Sequence, residues 1–382
     1  MLAIRAFARR FSLVAAVPLL GAAAARAQST IPQRLTDKEL WQLNAGMSEP
    51  NGYFRSENLV SNESGFQAVI PALRERIKPG GVYLGVGPEQ NFTYIVALQP
   101  KIAFIIDIRR GNMLEHLMYK ALIERSTDRA DFLSKLFSRP RPAGLDTTST
   151  TPQLFAAYGA AKPDSLLYRT NLAAIRRTLS DGHGFALGDS DAKSLESIYS
   201  AFFDAGPELT YNYPNGNYRG GFGRGMPTYA SLQQASDTVG KNWSYLATEG
   251  NFRWLKDFES RDLLVPVVGD FGGPKAIRAV ADYLKDHHAV VSAFYTSNVE
   301  QYLFQNGDAW SRYYKNVETL PLDTSSTFIR SLGGFRGYYS PNGPQSRYGG
   351  RLASVTSSIQ VLLKAFDAGS IMSYGDVIAL SR

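Results

Sequence analysis

The chain has 382 residues, 44% of them hydrophobic and 12% aromatic, enough to bury a large core and unlike a disordered protein. Its formal net charge is +7, but residues 1–27 hold four arginines and no acids, which leaves +3 for the rest and no basic signal for nucleic acid. Cysteine is absent, which excludes disulfides, thiolate zinc sites and a cysteine nucleophile.

Residues 1–27 read as a signal peptide. Arg5, Arg9 and Arg10 give a positive start, Phe11 to Ala25 is apolar and small, and Ala25-Arg26-Ala27 offers a small-x-small cleavage site before Gln28. Arg9-Arg10-Phe11-Ser12-Leu13 loosely resembles a twin-arginine export signal, with general secretion as the alternative. The apolar stretch is too short for a good membrane span. The expectation is therefore an exported protein, periplasmic or secreted, with no stable membrane span after cleavage.

Residues 28–382 read as one α/β domain. Leu40, Leu43 and Met47 predict a short helix, residues 51–64 a loop, and Phe66 to Ile77 a helix. Then comes the most informative stretch. An apolar run, Val82 to Val86, is broken by Gly85 and Gly87, and Pro88 suits a helix start. Phe92, Ile95 and Val96 put a helix over 89–98, and a second apolar run, Ile102 to Ile106, ends at Asp107. Strand, glycine turn, helix, strand and acid follow one another, with Asp107 20 residues beyond Gly87, close to where dinucleotide-binding folds place a ribose-binding acid.

Leu114, Leu117, Met118, Ala121 and Leu122 form one apolar stripe on the next helix. His116 lies in it with no metal-spaced partner and reads as an ordinary histidine of the helix surface or core. Arg129 to Phe137 is a second helix. A Thr-, Ser- and Pro-rich loop from Arg139 opens a helical insertion covering about 139–250, with helices over 171–179 and 190–203 capped at Ser190 or Asp191. Tyr211 to Tyr229, rich in Gly, Tyr and Arg, reads as a surface loop and a candidate lid, not as a nucleic-acid site.

Asn251 to Phe258 predicts a helix, and Leu263 to Val268 a strand ending at Gly269-Asp270, with a bulge or an edge position expected at Pro266. Phe271-Gly272-Gly273-Pro274 is a turn into a helix that His287-His288 terminates. Ala289 to Tyr295 is the next strand, and Thr296 to Glu300 turns into another helix. Gly333 to Gly350 is a second Gly/Tyr/Arg loop. Val355 to Phe366 predicts a late helix and Tyr374 to Leu380 a last strand.

Strands alternating with helices argue for a mostly parallel sheet covered on both faces, with ligands bound outside the strands' carboxyl ends. Four such ends carry candidate binding residues: Gly85, Gly87, Glu89, Gln90 and Asn91; Asp107 and Arg109; Asp270 and Phe271; Ser297 and Asn298. A carboxylate at Glu89 would repel a pyrophosphate, so a nucleoside with a cationic or amino-acid tail fits better, S-adenosylmethionine being the example. Asp270, Tyr295, Asn298 and Glu300 are the catalytic candidates, facing an acceptor. No metal spacing and no Gly-x-Ser-x-Gly elbow appears.

The blocks L-G-V-G-P-E-Q-N-F-T-Y, D-I-R-R-G-N, L-F-S-R-P-R-P, V-P-V-V-G-D-F-G-G-P-K and F-Y-T-S-N-V-E-Q-Y-L-F resemble an uncharacterised bacterial family of hypothetical proteins. The family's fold is similar to that of class I S-adenosylmethionine-dependent methyltransferases, and the resemblance runs roughly from Leu35 to the C-terminus. It implies a Rossmann-like, doubly wound sheet with a helical insertion, and no particular reaction. The glycine loop departs from the broader methyltransferase pattern at Pro88-Glu89, and no proline-proline-tyrosine motif follows the later strands. Gly184 to Asp189 resembles a third strand with an adenine-side acid.

Three readings stand. One is a methyltransferase-like enzyme with S-adenosylmethionine between Gly85, Glu89, Asp107 and Asp270. Export argues against it, because a charged nucleoside cofactor is not expected outside the cytoplasm, unless the folded protein is exported preloaded. A second is a cell-envelope module that binds a small molecule without turnover. The third is hydrolysis using Asp270 or Glu300.

Overall fold

The computed structural model describes residues 28–211, 226–333 and 352–381. The leader-like segment and most of both Gly/Tyr/Arg loops, including the candidate lid, lie outside them.

Asp37–Met47 forms α1, opened by a reciprocal capping box between Thr36 and Glu39. A short 3-10 turn over Phe66–Val69 runs into α2, Ile70–Arg76. The glycine-punctuated stretch then gives β1 (Val82–Gly85), α3 (Gln90–Leu98) and β2 (Ile102–Asp107), as its apolar runs predict. Between β2 and the next strand lie α4 (Arg110–Glu124), α5 (Arg129–Phe137), α6 (Thr151–Ala160), α7 (Ser165–Arg177), α8 (Asp189–Ala205), α9 (Tyr229–Gln233) and α10 (Glu249–Ser260). β3 (Leu264–Val268), α11 (Ala276–Asp286), β4 (Val291–Ser297), α12 (Val299–Leu303) and α13 (Ala309–Val317) follow. β5 (Leu322–Gly333), β6 (Leu352–Ser358), α14 (Ile359–Asp367) and α15 (Tyr374–Ala379) complete the described chain.

The six strands form one sheet in the order β3-β2-β1-β4-β5-β6, parallel except for β6, which runs antiparallel to β5. Every residue of β1, β2 and β3 is buried, as is β4 up to its last residue. Strands buried on both sides need cover on both faces, which is why they read as continuous apolar runs. The order reverses between β1 and β4, so the loops leaving these strands part to opposite sides and open a crevice there.

Pro266 sits in β3, an edge strand, opposite Ile105. Its missing N–H therefore breaks no ladder, and its carbonyl accepts a 2.6 Å bond from Asn44 Nδ2 of α1. The α4 stripe understates that helix: residues 112 to 123 are all buried, because α8 and α10 of the long β2–β3 connection cover its outer side.

Three expectations need correction. Residues 374–379 are α15, not a strand; Asp376 accepts bonds from the Ser373 backbone and hydroxyl at 2.8 and 2.9 Å, which starts a helix. Gly184 to Gly188 forms no strand and leads into α8, whose N-cap is Gly188, with the Asp191 carboxylate accepting the Gly188 N–H at 3.2 Å. Val355 belongs to β6, and the late helix begins only at Ile359.

The β5–β6 half is pinned by a charge pair with almost no water access. Arg330 is fully buried and grips the Glu300 carboxylate with Nε and, at 3.0 Å, Nη2, while Nη1 reaches Ser357 of β6. The Tyr314 hydroxyl donates to Glu300 Oε1 at 2.8 Å. Removing one partner strands the other charge, so Glu300→Gln or Arg330→Met should each cost about 3–5 kcal/mol in urea denaturation. The double replacement Glu300→Leu with Arg330→Met should cost less than either; a double variant as unstable as the sum of the two would contradict this account.

Candidate functional site

The turn after β1 is built around one amide. Asn91, fully buried on α3, donates from Nδ2 to the carbonyls of Val86 (3.0 Å), Gly87 (3.1 Å) and Pro88 (2.8 Å). Its Oδ1 accepts the Tyr83 hydroxyl at 2.8 Å. Gly85 must lack a side chain because a Cβ there would overlap Asn91 Oδ1, and Gly87 holds a left-handed φ of +78°.

Around this turn the carboxyl ends of four strands meet in a cavity of about 240 Å³. β1 contributes Gly87 and Gln90 from its turn, β2 contributes Asp107 and Arg109, β3 contributes Asp270 and Phe271, and β4 contributes Ser297 and Asn298. The structure thus brings eight of the eleven candidate binding residues to one place. The remaining wall comes from the segment before the first 3-10 turn. Gly52 donates to the Ile108 carbonyl at 2.8 Å and the Arg110 N–H donates to Asn51 Oδ1 at 2.7 Å, which ties this segment to the end of β2. Phe54, Asn58 and Glu63 then face the cavity, with Tyr53 at 85% exposure on its rim. Tyr302 and Tyr211 add aromatic surface, and Phe54 meets Tyr302 edge to face at 5.3 Å.

Three acids and one base among the described residues line this space. Arg109 is committed to Asp107: its Nε and Nη2 lie 3.1 Å from the two carboxylate oxygens, and its backbone N–H donates to Oδ1 at 2.9 Å. Both residues are buried. Burial works against the guanidinium charge, but the Asp107 carboxylate more than offsets it and holds the Arg109 pKa above its usual value. Asp270 accepts the Gly272 N–H at 2.9 Å. Glu63 is 1% exposed; its Oε1 accepts the hydroxyls of Tyr295 (2.7 Å) and Ser297 (2.5 Å). Gln90 Nε2 in turn donates to the Tyr295 hydroxyl at 2.8 Å. Burial pushes the Glu63 carboxyl up, with the Ser297, Tyr295 and Ser331 hydroxyls pulling it part of the way back. Ser297 reaches Glu63 from a left-handed backbone at φ +50°, a conformation that costs a non-glycine residue about 1–2 kcal/mol.

The other candidates lie elsewhere. Gly85 and Asn91 sit behind the turn they shape. Tyr295 touches the cavity only through Gln90 and Glu63. Glu300 is held by Arg330. Glu89 points into the core beneath α4 and is fully buried, with no hydrogen-bond partner for either oxygen in another of the described residues. Burial pushes its carboxyl up to about 8. Glu115, equally buried and unpartnered, is raised by burial and then by Glu89. Glu89 is thus largely protonated near pH 7, in a core rich in aromatic rings. Burial likewise lowers His116 to about 4, its Nε2 sitting 2.9 Å from the Gly87 carbonyl.

At two of the helix starts nearby, those of α4 and α11, amides are taken by the protein's own side chains, whereas α3 has no side-chain cap. Asn51 accepts the first N–H of α4, and Glu49 accepts the Lys275 and Ala276 N–H groups at the start of α11, both at 2.8 Å. Such amides are what would hold a phosphate. Among the described residues one group has metal-ligand spacing, Asp37, His183 and Asp262, away from this cavity. The Lys120 ammonium already sits 2.5 Å from Asp262 and 2.7 Å from Glu124, and His183 bridges Asp37 and Glu124, so cations of the chain itself balance those acids.

Two expectations follow. Asn91→Leu orphans the Tyr83 hydroxyl and the Val86 carbonyl, while His116 still reaches the Gly87 carbonyl and the residue-91 N–H that of Pro88; at about 1–3 kcal/mol for each group left buried and unpaired, a loss of at least about 2 kcal/mol is expected in urea denaturation. A near-neutral result would contradict the role given to this amide. Glu89 binds its proton more tightly folded (about 8) than unfolded (4.5), so it lowers stability as pH rises from about 4.5 to 8. Glu89→Gln should remove that slope and stabilise by roughly 3 kcal/mol at pH 7, from 1.36 kcal/mol per pKa unit. Thermal unfolding across pH 4–9 checks this, and an unchanged slope would refute it.

No curated protein matches the chain. A family model described as a domain of unknown function, DUF7790, matches residues 58–178 and 216–364, more than half of the sequence. Those spans take in Glu63, the β1 turn and all four strand ends, and the chain belongs to the DUF7790 family.

Proposed function

We propose that this protein binds a small adenosyl- or nucleoside-type molecule in the strand-end cavity of a Rossmann-like, methyltransferase-like fold. The observation that carries the reading is the meeting of four strand ends beside the reversal of strand order. The order β3-β2-β1-β4-β5-β6 is also the order of dinucleotide-binding folds, although the last strand here runs antiparallel. Asp107 at the end of β2 is placed as a ribose-binding acid would be, though Arg109 already takes part of its accepting capacity. The committed amides at the α4 and α11 starts offer no phosphate site there, and the lining acids Glu63, Asp107 and Asp270 would repel one, which favours a nucleoside such as S-adenosylmethionine over NAD. Gln90 Oε1, buried and unpartnered, is a free acceptor beside the β1 turn for such a ligand. S-adenosylmethionine would supply a transferable methyl group when bound. Asp270 and Asn298 are the catalytic candidates left facing the cavity.

Binding without turnover is the second reading. It is favoured by the placement of Tyr295 and Glu300, two of the four catalytic candidates, outside the cavity lining. In either reading residues 1–27 act as an export signal and the protein works outside the cytoplasm.

Differential scanning fluorimetry with S-adenosylmethionine, S-adenosylhomocysteine, adenosine and NAD tests the proposal. An adenosyl compound at a hundredfold its Kd should stabilise by about 2.7 kcal/mol, NAD should not, and Asp107→Asn or Asp270→Asn should reduce the response. No shift with any adenosyl compound, or identical shifts in both variants, would overturn it.

A further inference from the structure

We propose that Glu63 is the specificity-determining residue of the cavity and that it selects a ligand carrying a cationic group, a protonated amine or a sulfonium, on a flat or apolar body. The inference rests on the reading that the strand-end cavity is the ligand site, and not on the ligand's being a nucleoside.

Four observations meet at this residue. Glu63 belongs to the cavity lining although it is 1% exposed, so its carboxyl sits in the wall, shielded from bulk water. Its two oxygens are unequal: Oε1 holds the Tyr295 and Ser297 hydroxyls, while Oε2 makes no hydrogen bond of normal length among the described residues, with the buried Ser331 hydroxyl of β5 beside the carboxyl. The Tyr295 and Ser297 hydroxyls hold the carboxyl in one orientation, in which Oε2 lacks a charged partner. The charge around it is one-sided: the lining acids are Glu63, Asp107 and Asp270, and Arg109 is already used by Asp107. The walls are aromatic at Phe54, Tyr302 and Phe271, and aromatic faces attract cations once water is displaced.

A buried, unpaired carboxylate is costly, and a cation beside it removes the cost in the bound state alone. An anionic or neutral ligand leaves Oε2 unmatched. Burial pushes the carboxyl up in the free protein, and a bound cation would draw it back toward the ionised form.

The test compares ligand pairs that differ in charge alone, by calorimetry or fluorimetry: 5′-amino-5′-deoxyadenosine against adenosine, and 2-phenylethylamine against 2-phenylethanol. The wild-type protein should favour the amine of a pair by about tenfold to a hundredfold, the range expected of a hydrogen bond to a charged group. Glu63→Gln, which keeps shape and an accepting oxygen, should erase the preference while the neutral partner's affinity holds. Asp270→Asn should leave most of the preference in place. If Glu63→Gln fails to fold, Glu63→Asp replaces it, with the charge set back by one methylene and the preference reduced by about tenfold. Equal affinity for amine and alcohol in the wild-type protein, no binding of either amine, or a preference that survives at Glu63 variants would overturn the proposal. If 2-phenylethylamine binds in a Glu63-dependent way and no adenosyl compound binds, the cation site stands and the nucleoside reading falls. Nucleosides binding without regard to charge would give the converse.

Discussion

The site depends on the amide of Asn91. A tight turn after a central strand leaves several carbonyls pointing inward, and buried carbonyls need donors. One side chain on α3 supplies them for three consecutive residues and takes the Tyr83 hydroxyl with its own oxygen. The turn is thereby held open on its outer side, where Gly87 and Gln90 border the cavity. Because β1 lies at the reversal of strand order, fixing its turn also fixes the place where the ends of β2, β3 and β4 converge. Gly85 follows from the same constraint, since the Asn91 side chain occupies the volume a Cβ would need.

With that frame set, the hydrogen-bond balance of the cavity decides its chemistry. Nearby donors are largely consumed: Arg109 by Asp107, the α4 start by Asn51 and the α11 start by Glu49. Acceptors remain, above all one oxygen each of Glu63 and Gln90. A site lined by three acids and by free acceptors suits a ligand that brings donors or positive charge. Glu89 and Glu115 are a separate matter. They are buried acids of the core whose carboxyls burial pushes up, and their effect falls on stability against pH.

Much of the architecture was legible in the sequence because its physical causes are local. Apolar runs broken by glycine and proline mark β1 to β4, and Pro266 pointed to an edge. The strand-end residues at 87, 90, 107, 109, 270, 271, 297 and 298 followed from the rule that parallel sheets bind ligands at one rim. What stayed hidden has non-local causes. β5 reads Leu-Asp-Thr-Ser-Ser-Thr-Phe-Ile-Arg-Ser-Leu-Gly, and its buried polar residues rest on distant partners: Arg330 on Glu300, and Ser326 on the Val291 carbonyl at 2.6 Å. Glu63 stands in a segment with no periodicity, and its role arises from tyrosine and serine partners more than 230 residues away. Glu89 looked like a pocket residue because it follows the glycines, yet the turn that Asn91 imposes directs it inward. At α15 a capping signal, Ser373 with Asp376, outranks the apolar run that suggested a strand.

The central claim is that one cavity is shared by the first wall segment and four strand ends. Hydrogen–deuterium exchange of the whole protein, with and without saturating 5′-amino-5′-deoxyadenosine or 2-phenylethylamine, tests it most directly. The account predicts slowed exchange together in residues 52–63, 86–91, 107–110, 269–272 and 297–303, with little change in α6 to α8. Protection confined to one of these segments, or centred on the helices between β2 and β3, would contradict it.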